Sequence, residues 1–236
     1  MQVDVLLFGA HPDDIEWGAG GIALILQQTG VSFALVDLTK GEMGSRGTPA
    51  ERVQEAERAA QFLGGVSREN LGLPDCGLMD TPEQRKLIAN VIRRYRPAFV
   101  LAPYWRDRHP DHAAAGQIVR NSRLFCILKK SASPDPPHKP EAFLYFPLHH
   151  PHARASFVVD VSAVYERKLE LLRLHESQFA KTAEQFGVAS HGLGDYLFAL
   201  ESRDRYFGSM IGTRHGEALV SDGPLPLSNL TDILKL

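Results

Sequence analysis

A chain of 236 residues is long enough for one large α/β domain with a full core. Its 26 Lys and Arg against 28 Asp and Glu leave a net charge of −2, which argues against a nucleic-acid partner, since such proteins usually carry a basic excess. Two cysteines make no disulfide framework, no apolar run is long enough to span a bilayer, and the opening MQVDVLLFG lacks the basic start of a signal peptide. The expectation is a soluble cytoplasmic protein with no membrane partner. Ten histidines, several close to Asp or Arg, turn attention to metal or acid–base chemistry.

Val3–Phe8 reads as a buried strand, and Gly18-Ala19-Gly20-Gly21 as the opening of a helix over Ile22–Leu26 that ends near Gly30. Ser32–Leu38 is a second strand, followed by a glycine-rich loop over residues 41–48. Thr48-Pro49-Ala50-Glu51 is a helix start, with Thr as cap, Pro at the first position and Glu at the third; that helix runs to Leu63. Leu71–Leu73 is a short strand. Asp80-Thr81-Pro82-Glu83 starts another helix, with Leu87, Ile88, Val91 and Ile92 on one face, stopping before Pro97. Strand Ala98–Ala102 and helix Asp111–Leu128 follow, then an exposed loop over residues 131–137. Glu141–Pro147 and Ser156–Asp160 look like strands. Ser162 is placed to cap a helix Ala163–His175, residues 176–195 read as irregular, Tyr196–Phe207 as helical, and residues 222–226 as a surface tail.

Strands and helices alternate, and the strands are almost continuously apolar. That pattern predicts an α/β fold, a Rossmann-like and mostly parallel sheet with helices on both faces. Residues 1–236 read as one domain, with a core over 1–130 and a C-terminal elaboration over 131–236. Ligands in such sheets bind beyond the carboxyl ends of the strands.

Two turns lie at such ends: Ala10-His11-Pro12-Asp13-Asp14 after the first strand, and Arg108-His109-Pro110-Asp111-His112 after strand Ala98–Ala102. His11, Asp14 and His112 would give a divalent metal two imidazoles and a carboxylate. A catalytic zinc site uses three protein ligands and keeps one position for water. Asp13, adjacent to Asp14, points elsewhere and is left as a free carboxylate suited to general base work. His109 is a candidate proton donor or stabiliser of developing negative charge, and Asp111 a candidate to orient either histidine. Taken singly, Asp13 or Asp14 is an ordinary turn or cap residue, and His112 an ordinary histidine at a helix start. Two His-Pro-Asp motifs at two strand ends favour the metal site.

AHPDD after the first strand, paired with HPDH after a later one, resembles the LmbE/PIG-L family of zinc-dependent N-acetylglucosamine deacetylases. Thr39–Thr48, Glu51-Arg52, Glu55-Ala56 and Tyr206–Gly212 resemble its bacillithiol-biosynthesis subgroup, which hydrolyses N-acetylglucosaminyl malate. The resemblance implies one Zn2+ per chain on His11, Asp14 and His112, Asp13 as base, and His109 assisting at the oxyanion or leaving group. It also implies hydrolysis of an amide C–N bond with release of acetate, and a homo-oligomer such as a hexamer. A malyl substrate would want arginine forks, for which Arg46, Arg52 and Arg108 are candidates. Tyr196 is a candidate oxyanion donor from its place before the last helix.

Other conjugates, of mycothiol or chitooligosaccharide type, remain alternatives. So do a metal-dependent phosphoesterase, which would want a second metal and more ligands, and a sugar-binding module without activity. The tract His149-His150-Pro151-His152 reads as a loop, His175 as a partly exposed structural residue, and Cys76 and Cys126 as packing. Gly18–Gly21 is no dinucleotide fingerprint, because His-Pro-Asp-Asp fills the turn where phosphate would sit; it lets the helix approach the sheet or the sugar closely.

Overall fold

The structure, a computed structural model, describes residues 2–131, 133–149, 154–179 and 196–225. Seven strands form one mixed sheet in the order β3-β2-β1-β4-β5-β7-β6. β1 (Val5–Gly9), β2 (Phe33–Thr39), β3 (Ser67–Leu73), β4 (Phe99–Pro103) and β5 (Ala142–Phe146) run parallel. β7 (Gly216–Ser221) pairs antiparallel with both β5 and β6 (Phe157–Asp160). The helices are α1 (Asp14–Thr29), α2 (Pro49–Phe62), α3 (Pro82–Tyr95), α4 (Pro110–Ile127), α5 (Tyr165–Arg173), the single turn α6 (Glu176–Phe179) and α7 (Tyr196–Met210).

Alternate residues of the parallel strands feed two cores. Leu6, Phe8, Val36 and Val100 pack with Ile88 and Val91 of α3 and Ile118 and Val119 of α4. Val5, Leu7, Leu35 and Leu101 pack with Ile22 and Leu24 of α1 and Leu171 of α5. Both faces are therefore covered, as near-continuous apolar strands require. The sheet grows from β1 through β2 to β3, then resumes on the other side of β1 with β4 and β5. The carboxyl ends of β1 and β4 thus flank the switch point where such sheets bind ligands. No helix among the described residues is long and apolar enough to cross a membrane.

The expected capping box is present. Glu51 N donates to Thr48 Oγ1 at 3.2 Å and Thr48 N donates to Glu51 Oε2 at 2.7 Å. Several expectations need correction. α1 begins at Asp14, not Ile22, and runs through Gly18–Gly21 with a break at Ala19 (φ −143°, ψ 21°). The glycines are there for contact: a Cβ on Gly18 would sit 2.2 Å from Phe146 Cδ2, and one on Gly21 2.6 Å from Val161 Cγ1. β3 starts four residues earlier than expected, at Ser67. Its polar start conceals an edge strand in which Arg68 reaches across to Asp37 of β2 at 2.7 and 2.9 Å and also pairs with Glu16 of α1.

Ser162 does not cap a helix. It begins a 3-10 turn over Ser162–Val164, and its hydroxyl accepts from His215 N at 3.0 Å. β7 carries a buried glutamate among its apolar residues and has no counterpart in the pattern-based reading. The start of the region expected to be irregular forms α6; residues 180–195 lie outside the described residues. The expected tail is held at its first residue, because Asp222 accepts from Arg120 and Arg123; Pro226 lies outside the described residues.

Candidate active site

The turn after β1 owes its shape to Asp14. Its Oδ2 accepts from the backbone N–H groups of Ala10 and His11, both at 2.9 Å, which folds the carboxylate back over the strand end. The same oxygen lies 3.5 Å from His11 Nδ1, and Oδ1 lies 3.2 Å from His112 Nε2. Burial alone would raise the Asp14 pKa, but His112 and His11 outweigh it and hold the carboxyl well below the usual range. Asp13 precedes the helix at φ 122°, a conformation that costs of order 1–3 kcal/mol for a residue with a side chain. That backbone sends its carboxylate away from Asp14 and toward Arg52, whose Nη2 donates to Asp13 Oδ1 at 3.3 Å. Burial first, and then Asp14, raise the Asp13 pKa against the opposing Arg52.

The second turn is organised by Asp107, which the sequence reading passed over. Its Oδ1 accepts from His109 N at 2.9 Å and lies 3.2 Å from His112 Nδ1, while Oδ2 accepts from His149 N at 2.8 Å. His112 therefore presents Nε2 to Asp14. Burial would lower the His112 pKa; Asp14 and Asp107 overcome it and lift the ring to about 9. His109 caps α4, and its Nδ1 accepts from Asp111 N at 3.2 Å. An Nδ1 that accepts leaves the proton of the neutral ring on Nε2. Burial, with the neighbouring His112 and His11, keeps the His109 pKa below its ordinary value. The rings of His109 and His112 stack at 4.4 Å, and His11 meets His109 edge-on at 5.0 Å.

His11 is steered from its far side. Nε2 lies 3.1 Å from Asp75 Oδ1 and 3.4 Å from Asp111 Oδ2. Burial opposes protonation, yet Asp111, Asp14 and Asp75 together push the ring up to about 12. Asp111 thus attends His11, not His112. Asp75, from the loop after β3, is a second residue missed by sequence reasoning. It also accepts from Met43 N at 2.8 Å and so ties the glycine-rich loop to the same histidine.

His11, Asp14 and His112 each offer one ligand atom, all within 4.8 Å of one another, and all three residues are buried. Two imidazole nitrogens and one carboxylate oxygen fit a divalent ion of zinc type with a coordination position to spare. His11, Asp75 and Asp111 form a second such group. Its two carboxylates already accept the N–H of Cys76, at 2.9 and 2.6 Å, and share His11 with the first group. That is how carboxylates orient a metal-binding histidine from behind.

The two turns open into a cavity of about 310 Å³. Asp13, Asp14, His11, His109 and His112 form its floor, with an aromatic wall of Trp17, Phe179, Tyr196 and His149. Trp17 stacks on Phe179 at 5.7 Å and 11°, and Tyr196 meets Trp17 edge-on at 6.1 Å. Burial, then His112, lowers the His149 pKa to about 4; residues 150–152 of that tract lie outside the described residues.

The three arginines separate. Arg46 lines the cavity and donates to Gln178 O at 3.3 Å. Arg52 is buried and commits its guanidinium to Gly41 O, Pro12 O and Asp13. Arg108 is exposed and outside the cavity lining. Cys76 is not a packing residue; it is exposed, at φ 59°, on the cavity wall, whereas Cys126 is buried. His175 is fully buried, not partly exposed, with Nε2 3.3 Å from Glu16 Oε1.

The profile of the family described as PIG-L: GlcNAc-PI de-N-acetylase matches residues 6–122, which span both turns. A diacetylchitobiose deacetylase of Thermococcus kodakarensis is 32% identical over 91% of this chain and 81% of its own length. A probable N-acetyl-alpha-D-glucosaminyl L-malate deacetylase of Bacillus anthracis is 32% identical over 75% of this chain and 81% of its own length. The crystal structure of the conserved protein TT1542 from Thermus thermophilus superposes with a TM-score of 0.84 at 37% identity, covering 96% of this chain and 97% of that one. The family profile across both histidine turns, the relatives that align along most of the chain and the shared fold lead to one conclusion: this chain belongs to the PIG-L/LmbE family of N-deacetylases.

Proposed function

We propose that the chain removes the acetyl group from an N-acetylglucosamine conjugate, using one zinc ion on His11, Asp14 and His112. The observation that carries this reading is a three-ligand cluster and a separate, undercommitted carboxylate on the floor of one cavity. When bound there, zinc would polarise the acetyl carbonyl and lower the pKa of a coordinated water to about 7. Arg52 occupies Asp13 Oδ1, so Oδ2 is the oxygen that takes the proton of the attacking water. The raised pKa of Asp13 suits a base that must later release that proton to the leaving amine. His109, with its proton on Nε2, donates to the oxyanion or to the departing nitrogen. Tyr196 closes the aromatic wall, its hydroxyl being the second candidate donor to the oxyanion.

Two aglycones compete. The aromatic wall favours a neutral sugar, since a pyranose face stacks on such rings. A malyl carboxylate needs a cation at the cavity, and of the three arginines Arg46 is the one that lines it without being buried inside the turn. Acetate release from N,N'-diacetylchitobiose and from N-acetylglucosaminyl malate tests both. The zinc-loaded protein should release acetate from at least one. If Arg46 holds the malyl carboxylate, Arg46→Ala raises KM for that substrate by about tenfold or more and leaves diacetylchitobiose unchanged. No acetate from either substrate contradicts the proposed function.

A further inference from the structure

The break in α1 at Ala19 lies five residues beyond Asp14 and two beyond Trp17. Side chains from two distant elements bond to its two sides. On the near side, Arg203 of α7 donates through Nη2 to Trp17 O at 2.7 Å and through Nη1 to Pro147 O and Leu148 O, both at 3.1 Å. On the far side, Glu217 of β7 accepts from Gly21 N at 2.8 Å and Ile22 N at 2.7 Å. Its two oxygens thus cap the second half of the helix, where an acidic group is favoured.

These two residues are linked. Asp204 accepts from Arg203 at 2.9 and 3.0 Å, and Lys168 of α5 bridges Asp204 at 2.6 Å to Glu217 at 2.7 Å. The chain Arg203–Asp204–Lys168–Glu217 carries two positive and two negative charges. Asp204, Lys168 and Glu217 are at most 1% exposed. Burying four charges is weak evidence for stability, because apolar side chains of similar volume serve as well. Apolar side chains could not bond the carbonyls and amides on the two sides of the break.

Both segments that Arg203 joins run into the cavity wall. Trp17 carries the ring on which Phe179 and Tyr196 pack. Leu148 O also accepts from Trp17 Nε1, and the next residue, His149, lies 5.9 Å from the Trp17 ring. We propose that the buried chain Arg203–Asp204–Lys168–Glu217 is a positioning device that holds α1 at its break, so that Trp17 and His149 face the substrate. It sets substrate affinity, not metal binding or turnover. This rests on the reading that the cavity takes the acetylated sugar.

Arg203→Lys tests it in a Trp105→Phe background, where Trp17 is the remaining tryptophan. The charge is kept, but an ammonium's three donors cannot replace the guanidinium fork, which serves three carbonyls and the Asp204 carboxylate together. Trp17 emission should shift to longer wavelength, and KM for N,N'-diacetylchitobiose should rise about tenfold, with kcat and zinc affinity within about threefold of the parent. Arg205→Lys, an exposed neighbour paired with Glu201, should change none of these. Unchanged emission with unchanged KM overturns the proposal. So does a loss of kcat and zinc affinity as large as the rise in KM, or a variant that fails to fold, since either assigns the chain a structural role. The emission arm needs no substrate. A parent protein that leaves diacetylchitobiose intact therefore counts against the proposed substrate alone, and Trp17 still decides the brace.

Discussion

Residues 10–14 place two candidate metal ligands and the proposed base within five positions, whereas the groups of α5, α7 and β7 that bear on the same cavity are spread from Lys168 to Glu217. The first region works through local backbone geometry. Asp14 folds onto its own strand end, and the positive φ of Asp13 turns two adjacent carboxylates apart. The second works through long-range charge, reaching α1 from α7 and β7 through a link in α5. Damage to the first region should therefore appear in the metal and the chemistry. Damage to the second should appear in affinity and stability.

The largest effect should come from a ligand. His112→Ala should weaken zinc binding, followed by competition with a chelator, by more than about 100-fold while the fold survives, since the side chain sits in the first turn of α4, at the sheet end and outside both hydrophobic cores. Asp107→Asn removes the negative charge behind His112 and should cost about 10–100-fold, the range for groups that orient a metal ligand. Equal zinc affinity in all three proteins would break the comparison, because the first region would then not be a metal site.

A smaller effect sharpens the other side. Asp222 follows β7 and pins it to Arg120 and Arg123 of α4. Burial raises its pKa, but the two arginines outweigh that and hold the carboxyl below its usual value. Asp222→Asn should cost about 1 kcal/mol of unfolding free energy at pH 7, as partly exposed pairs do. Because the folded carboxyl lies below its unfolded value, that gap is full above about pH 4 and closes as the pH falls further. Denaturant unfolding at a series of pH values reads it, and a gap that widens on acidification would contradict the assignment.

The legible parts of the molecule were those whose cause lies within a few residues. The capping box of α2 and the apolar strands β1, β2 and β4 follow from spacing alone. So does the placement of both histidine turns at the carboxyl ends of strands, once the sheet is taken as parallel; that β1 and β4 are neighbours comes from the strand order. What escaped has its cause elsewhere in the chain. Gly18–Gly21 reads as the opening of a helix that approaches the sheet closely, and Phe146 and Val161 do fill that space, but the helix begins four residues earlier, at Asp14. Arg68 and Glu217 stand in no motif, and only the fold brings them to Asp37, Glu16 and the amides of α1. Asp75 has no motif around it, and only the fold carries it to His11. Asp107 could have been found, because it stands two residues before His109, where an Asx turn organises a strand-to-helix connection.

The central claim is that adjacent Asp13 and Asp14 divide base and ligand between them, and zinc affinity measured beside acetate release on Asp13→Asn and Asp14→Asn tests it most directly. Asp13→Asn should keep zinc near the parent value and lose about 10²–10⁴ in kcat, the usual worth of general base catalysis. Asp14→Asn should weaken zinc itself. If Asp13→Asn strips the metal while Asp14→Asn holds it and only slows turnover, the two roles are exchanged and the account is wrong.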